Sequence, residues 1–429
     1  MSERYGLLRY FAGAVAARAG DEMSGPALML AAFALAGSTA DASALLAGIT
    51  ASAALGGPVL GVLLDRAERP GRLLAGALLL HATGLGAVLM GLGRWPFAVT
   101  VLVAGVTGLL GPALSGGWTA QLPRVVPDDR LPGANALDAM TFGVAALAGP
   151  ALAGGVAEAL GASTAVVVSV ALITLALPAA WLLPARPSPA TTRPPPARSP
   201  MPPGGHDPCG KRRLPVSRPH RSSSVAGDLL AGARIVAGRP ALARATLASV
   251  VCCVAQGMLM ACVPLLGERV LGGAGHAAVL LSCAALSALV ADAALARSPR
   301  AISPRTLLWS GALVQAAALG LASASQGRPV VLVVAFLVLG IGEGPQLAAL
   351  FAVRHREAPE RLRSQIFTTG ASLKITGFAL GAAAGGPLAG RSLSGTLALA
   401  SGTAALAALV LLAVPTAVTA PAGRDARPE

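Results

Sequence analysis

Twelve apolar runs, each of about 20 residues, punctuate the whole chain, and that is the length needed to cross roughly 30 Å of hydrocarbon as an α-helix. They fall at 11–36, 44–64, 73–92, 97–121, 133–157 and 163–183, then at 243–266, 275–296, 306–324, 329–351, 366–389 and 396–416. A barrel strand would need segments of about ten alternating residues, whereas these runs are apolar all round, so helices are expected. Many contain Gly and Pro, which membrane helices tolerate because neighbours re-satisfy the backbone. With 54% hydrophobic and only 12% charged residues and a mean hydropathy of +0.69, the chain is no water-soluble domain.

The net charge of +14 is a question of placement rather than of nucleic-acid binding, because the basic residues lie between apolar runs and not on one amphipathic surface. With a cytoplasmic amino terminus, 27 of the 33 Lys and Arg fall in inside segments, including Arg4, Arg9, Arg124, Arg130, Arg297, Arg300, Arg305, Arg354, Arg356, Arg361, Arg363, Arg424 and Arg427. Four fall outside, at Arg94, Arg269, Arg328 and Arg391. The positive-inside rule thus predicts that both termini of this multi-pass membrane protein are cytoplasmic. No cleavable signal peptide is expected, since the first run carries Arg18, Asp21 and Glu22 and flows into a second.

Residues 184–224 hold twelve prolines, eight Lys or Arg and a single acid, Asp207, a composition that cannot bury a core and reads as a cytoplasmic linker. Asp228 to Arg239 reads as a short surface helix after it. The expected organisation is a six-helix half over 1–183, linker and surface helix over 184–239, a second six-helix half over 240–416, and a cytoplasmic tail over 417–429. A weak parallel repeat supports the two halves: Gly111-Pro112 recurs as Gly344-Pro345, Pro127 as Pro359, Arg130-Leu131 as Arg361-Leu362, and Asp65 as Asp292. Such doubled architectures place a midplane site between the halves.

Cys209, Cys252, Cys253, Cys262 and Cys283 show no metal-ligand spacing, and neither a metal nor a cofactor is expected. There is no His-rich cluster, GxSxG elbow or carboxylate pair beside a His, so the chain is not read as an enzyme. Six ionisable residues lie at depth instead: Arg18, Asp21, Glu22, Asp138, Glu343 and Lys374. Each costs roughly 2.5–3.5 kcal/mol at a helix centre unless paired or wetted, which marks them as candidates for proton coupling or substrate binding. Arg18 and Glu22 are four apart and share a helix face, so they are expected to pair, with Asp21 bordering them. Glu343 lies 11 residues before Arg354 and Lys374 lies 11 after Arg363. In antiparallel neighbours both then sit about 16 Å deep, and an ion pair between them is expected. His81 reads as a tolerated polar residue in a peripheral helix, and Asp138 and Glu158 sit nearer span ends.

Between the second and third spans stands GVLLDRAERPGRL, with Gly61, Asp65, Arg66, Arg69 and Arg72. It resembles the signature loop of the major facilitator superfamily, with Glu68 where that family usually has Gly. In the second half Asp292 is kept but Ala293 replaces the Arg, so a second loop of this kind is degenerate. In the fifth span Gly149-Pro150 and Gly154-Gly155 resemble the Gly-Pro motif of the family's antiporters, with three residues rather than two between the pairs. In the eleventh, Gly381, Gly385, Gly386, Pro387 and Gly390 follow it more closely. RAGDEM in span one is similar to a region of bacterial exporters, while span four lacks the mid-helix Arg of many drug antiporters.

The resemblance implies an all-α fold of twelve transmembrane helices, with the first, fourth, seventh and tenth lining a central cavity. It implies a monomeric alternating-access transporter: proton-coupled efflux of a small amphipathic drug or metabolite, the proton carried by Asp21, Glu22 or Glu343 in that order of preference. A desolvated carboxylate is suited to that task. Uptake by the same fold and a non-transporting sensor or scaffold are the alternatives. Aromatic residues make up only 3% of the chain, which argues against a sugar platform of stacked rings. The bilayer, the substrate and protons are the expected partners.

Overall fold

The computed structural model describes residues 2–36, 39–185, 224–273, 277–298, 302–325 and 327–412. Most of the Pro-rich linker, with Asp207 and Cys209, and the tail over 417–429 lie outside the described residues, as do Arg300, Arg424, Arg427 and the last residues of the twelfth run.

Every regular element among the described residues is a helix. Spans one to six are Ser2–Ala36, Thr39–Arg66, Pro70–Gly91, the helix opening at Phe97–Gly108, Leu131–Leu160, and Ala162–Leu175 continued by Leu177–Trp181. After the short linker helix Val225–Gly238, spans seven to twelve are Pro240–Leu271, Ala277–Arg297, Pro304–Ser323, Pro329–Glu357, Arg363–Arg391 and Leu393–Leu412. Ten of these twelve are long and apolar enough to cross a membrane by length and composition. The other two, spans one and eleven, carry Arg18, Asp21 and Glu22 and Lys374.

Local chemistry sets the boundaries. Pro70, Pro240, Pro304 and Pro329 open their helices, where a missing N–H costs nothing. Gly161, at φ +92°, turns span five into span six, and Gly272, at φ +81°, ends span seven in the left-handed region that favours glycine. Prolines also stand inside spans one and seven (Pro26, Pro264) and five and eleven (Pro150, Pro387), so their placement repeats between the halves. Span four breaks this symmetry. After Gly111-Pro112 it winds into a π-helical turn, Ala113–Gly117, whereas span ten runs α-helically through Gly344-Pro345.

Each half packs its own core, the first around Tyr10, Met23, Leu64, Leu78 and Trp118, the second around Met258, Leu266, Leu280, Phe336 and Leu397. Large apolar side chains such as Leu80, Leu102, Leu175, Leu286, Val290 and Leu409 are left exposed on the outside. That inversion of a water-soluble surface is what a lipid-facing wall requires. The halves meet where spans two and four lie against span eleven and span five lies against spans eight and ten. A small apolar cluster of Ala120, Ala136 and Ala139 with Ala348, Phe351 and Phe367 seals that seam.

Candidate functional site

Between the halves lies a cavity of about 460 Å³. Its first-half wall carries Asp21, Glu22 and His81, and its second-half wall carries Arg354 and Lys374. Glu22, Phe142 and Leu347 also border an adjoining cavity of about 330 Å³ that holds Gln256, Asp292 and Glu343. Four of the six residues picked out at depth, Asp21, Glu22, Glu343 and Lys374, therefore face this central space.

Arg18 and Asp138 do not. The expected Arg18–Glu22 pair is not formed; the Arg18 guanidinium grips Asp138 instead, Nη1 to Oδ1 at 3.1 Å and Nη2 to Oδ2 at 3.3 Å. Thr119 donates to Asp138 Oδ2 at 2.8 Å and accepts from Arg18 Nη2 at 2.8 Å, Thr141 accepts from Arg18, and Tyr10 donates to Asp138 Oδ1 at 3.1 Å. The physical reason is satisfaction: a planar fork of donors is met here by a carboxylate and two hydroxyls on two other helices, where Glu22 on its own helix offers one carboxylate. The Phe142 ring lies over the guanidinium, 3.7 Å to its centroid. Fully buried and bonded on several sides, the pair ties spans one, four and five together within the first half.

Asp21 has a partner that its spacing hid. His81 of span three is buried, with Nδ1 3.0 Å from the Thr107 carbonyl and Nε2 3.4 Å from Asp21 Oδ1. A carbonyl only accepts, so Nδ1 bears the hydrogen and Nε2 faces the carboxylate.

Glu343 and Lys374 border the same small cavity of about 50 Å³, as the depth argument expects. They make no ion pair with each other: Glu343 accepts from Gln256 Nε2 of span seven at 2.6 Å. That amide was invisible to a scan for charges.

The Gly61–Arg72 loop closes one end of the bundle, the end where the Arg-rich turns collect. Asp65 Oδ1 accepts from the backbone N–H of Ser364 at 2.9 Å and Oδ2 from that of Gln365 at 2.8 Å. Arg66 holds Asp228 of the linker helix at 2.7 Å, and Gln365 donates to the Leu229 carbonyl at 3.3 Å. Arg72 stacks on Trp181 at 5.1 Å, while Arg69 is exposed. Below Asp65, Gly61 lies so close to Thr368 and Gln365 that a Cβ would collide with both. Asp292, the repeat counterpart of Asp65, caps no helix; it is buried with Oδ1 unpartnered among the described residues and borders the adjoining cavity.

The glycine motifs divide. Gly149 packs against the backbone of Glu22 and Met23, and Gly381 and Gly385 pack against span seven. Gly154, Gly155, Gly386 and Gly390 face open space, so close packing does not account for them. Pro150 borders the adjoining cavity, and Pro387 is exposed.

Two further features were not read from the sequence. Phe142, Phe351 and Phe367 meet in a tilted series, with centroids 5.7 and 6.0 Å apart, along the cavity lining. Arg354, counted above among loop charges, is 2% exposed and reaches the cavity. The offset that relates Gly111 to Gly344 relates Gln121 to Arg354, so a charge standing where the first half has an amide was the available signal.

No curated protein sequence matches the chain. Among solved structures it resembles the human organic anion transporter MFSD10 (TETRAN), with TM-score 0.72 and 15% identity over 96% of this chain and 100% of that one. It also resembles a bacterial homologue of the iron transporter ferroportin in an outward-facing state, with TM-score 0.70 and 15% identity over 95% and 98%. At that identity the likeness is one of fold. A family model matches residues 10–373, and with two pseudo-repeated helical halves around a central cavity this multi-pass membrane chain belongs to the Major Facilitator Superfamily of transporters, not to an enzyme family.

Proposed function

We propose that the chain is a proton-coupled secondary transporter of a small amphipathic organic compound, working by alternating access as a monomer in a bacterial plasma membrane. The observation that carries this reading is the Asp21–His81 pair, a carboxylate 3.4 Å from an imidazole, on the wall of the central cavity. Glu22, next to it, and Glu343 across the cavity are further acids able to discharge by taking up a proton. If the Arg-rich end is cytoplasmic, the Asp65 latch closes the inner side and the cavity belongs to the outward-facing half of the cycle.

Export is the direction suggested by the span-one charges and the Gly-Pro pattern. Uptake stands as a second reading on a specific observation, the cations Arg354 and Lys374 facing an acidic wall. A negative solute on one wall and a proton on the other attract each other and load together, which is the logic of co-transport.

The test is proton flux in everted vesicles with an acidic interior, on adding lipophilic and amphipathic compounds to wild type and Asp21→Asn. Dissipation of the gradient by a compound in wild type only supports proton-coupled export. Substrate-dependent flux that is indifferent to the gradient and to Asp21→Asn rejects proton coupling, and ligand binding without flux rejects transport.

A further inference from the structure

We propose that the floor of the central cavity is a binding subsite for the anionic group of an organic anion, formed by Arg354 and Lys374. Arg354 Nε and Nη2 are buried without an acceptor among the described residues. Its guanidinium rests against Gly370, where a Cβ would collide with it, so the glycine makes the space that the side chain fills. Lys374 is four residues further along span eleven, one helical turn above, and both residues border the 460 Å³ cavity.

Among the described residues no acid forms an ion pair with Arg354 or Lys374; Glu22 borders the same cavity without a bonded partner, and three other acids have partners of their own. Asp65 is committed to Ser364 and Gln365, Asp21 lies against His81, and Glu343 accepts from Gln256. The Phe367 ring, 5.7 Å from the Arg354 guanidinium carbon, offsets only part of the cost of burying the charge. A buried carboxylate can shed its charge by taking up a proton, but a guanidinium cannot. Arg354 thus keeps its charge while buried without an acceptor among the described residues, and an anion entering the cavity supplies what it lacks. Carboxylate, sulfonate and phosphate fit a fork of donors with an ammonium beside it. Above the floor, Leu46, Ile49, Leu347 and Ile375 give the rest of the molecule an apolar enclosure.

This deepens the transporter reading, on which it rests only in taking the occupant to be the cargo. The test is calorimetric titration of the purified full chain in phosphatidylcholine nanodiscs, which present no net-anionic headgroup. Three probes share one ring system: naphthalene carboxylate, naphthalene methanol and naphthalene methylammonium. The carboxylate is expected to bind about tenfold tighter than the other two, and Lys374→Gln to remove that preference. Arg354→Lys is expected to retain part of it, a conservative rescue should Arg354→Gln fail to fold. Equal or tighter binding of the alcohol or the ammonium, no binding of the carboxylate, or a preference untouched by Lys374→Gln would overturn the subsite. Flux of the carboxylate in proteoliposomes is the separate readout: selective binding without flux keeps the subsite and removes the transporter reading, while flux without charge preference does the reverse.

Discussion

The Asp65 carboxylate accepts the backbone N–H of Gln365 at 2.8 Å, so an acid of the first half caps a helix of the second half across 300 residues of chain. Span eleven has Leu362 at its N-cap, which offers no side-chain acceptor, and Asp65 supplies in its place what a capping Ser or Asp would. The negative charge also lies at the positive end of the helix dipole. Asp65→Asn keeps one acceptor oxygen and loses the charge, at a cost of about 1–2 kcal/mol in the closed state. Amide exchange over residues 363–370 is expected to rise about tenfold, read by mass spectrometry. Unchanged exchange there would mean that Asp65 is not what holds the halves together.

The close approach of Gly61 to Thr368 and Gln365 gives a second expectation. Gly61→Leu cannot be accommodated in the closed seam, so transport falls and the start of span eleven becomes exchange-labile. Gly154→Ala, where the added methyl meets open space, is the matched control and leaves both unchanged. Equal behaviour of the two variants would remove the steric argument.

Arg18 and Asp138 are expected to behave as a unit of stability. Arg18→Ala leaves Asp138 buried without its counter-ion and should cost about 3–5 kcal/mol, whereas Arg18→Met with Asp138→Leu should recover most of the loss. Denaturant unfolding of the purified protein reads this. Single variants as stable as wild type but inactive would return the pair to the transport machinery.

Lys374 is half-buried and unpaired with Glu343, so Lys374→Ala should change stability by no more than about 0.5 kcal/mol while transport drops. Glu343→Gln should also impair transport, and neutralising both residues together should not rescue it. Recovery of flux in the double variant would show that the two form an ion pair in another state of the cycle.

The fold was legible because its constraint is written in runs of about 20 residues and in the placement of Arg, both of which survive weak sequence similarity. Asp65, too, could be found, since a charged loop between two apolar runs has few structural roles. Pairing was not legible. Helical periodicity says that Arg18 and Glu22 share a face, but it carries no knowledge that Thr119, Thr141 and Asp138 offer a fuller set of acceptors. His81 looked solitary because Asp21 is 60 residues away in sequence. Gln256 and Phe351 carry no charge and so left no mark on a scan for expensive residues, although one binds Glu343 and the other helps seal the seam.

The grip of Arg18 on Asp138 also has a consequence for how the protein is made. The two residues are 120 apart, so at ribosomal speed roughly ten seconds pass between their syntheses. During that interval span one holds an unmatched guanidinium that lipid would reject by roughly 2.5–3.5 kcal/mol. Span one is therefore expected to wait beside the insertion machinery, or in water at its edge, until span five arrives. The first five spans would then enter the bilayer as a cohort, with the Arg18–Asp138 contact as the event that releases them.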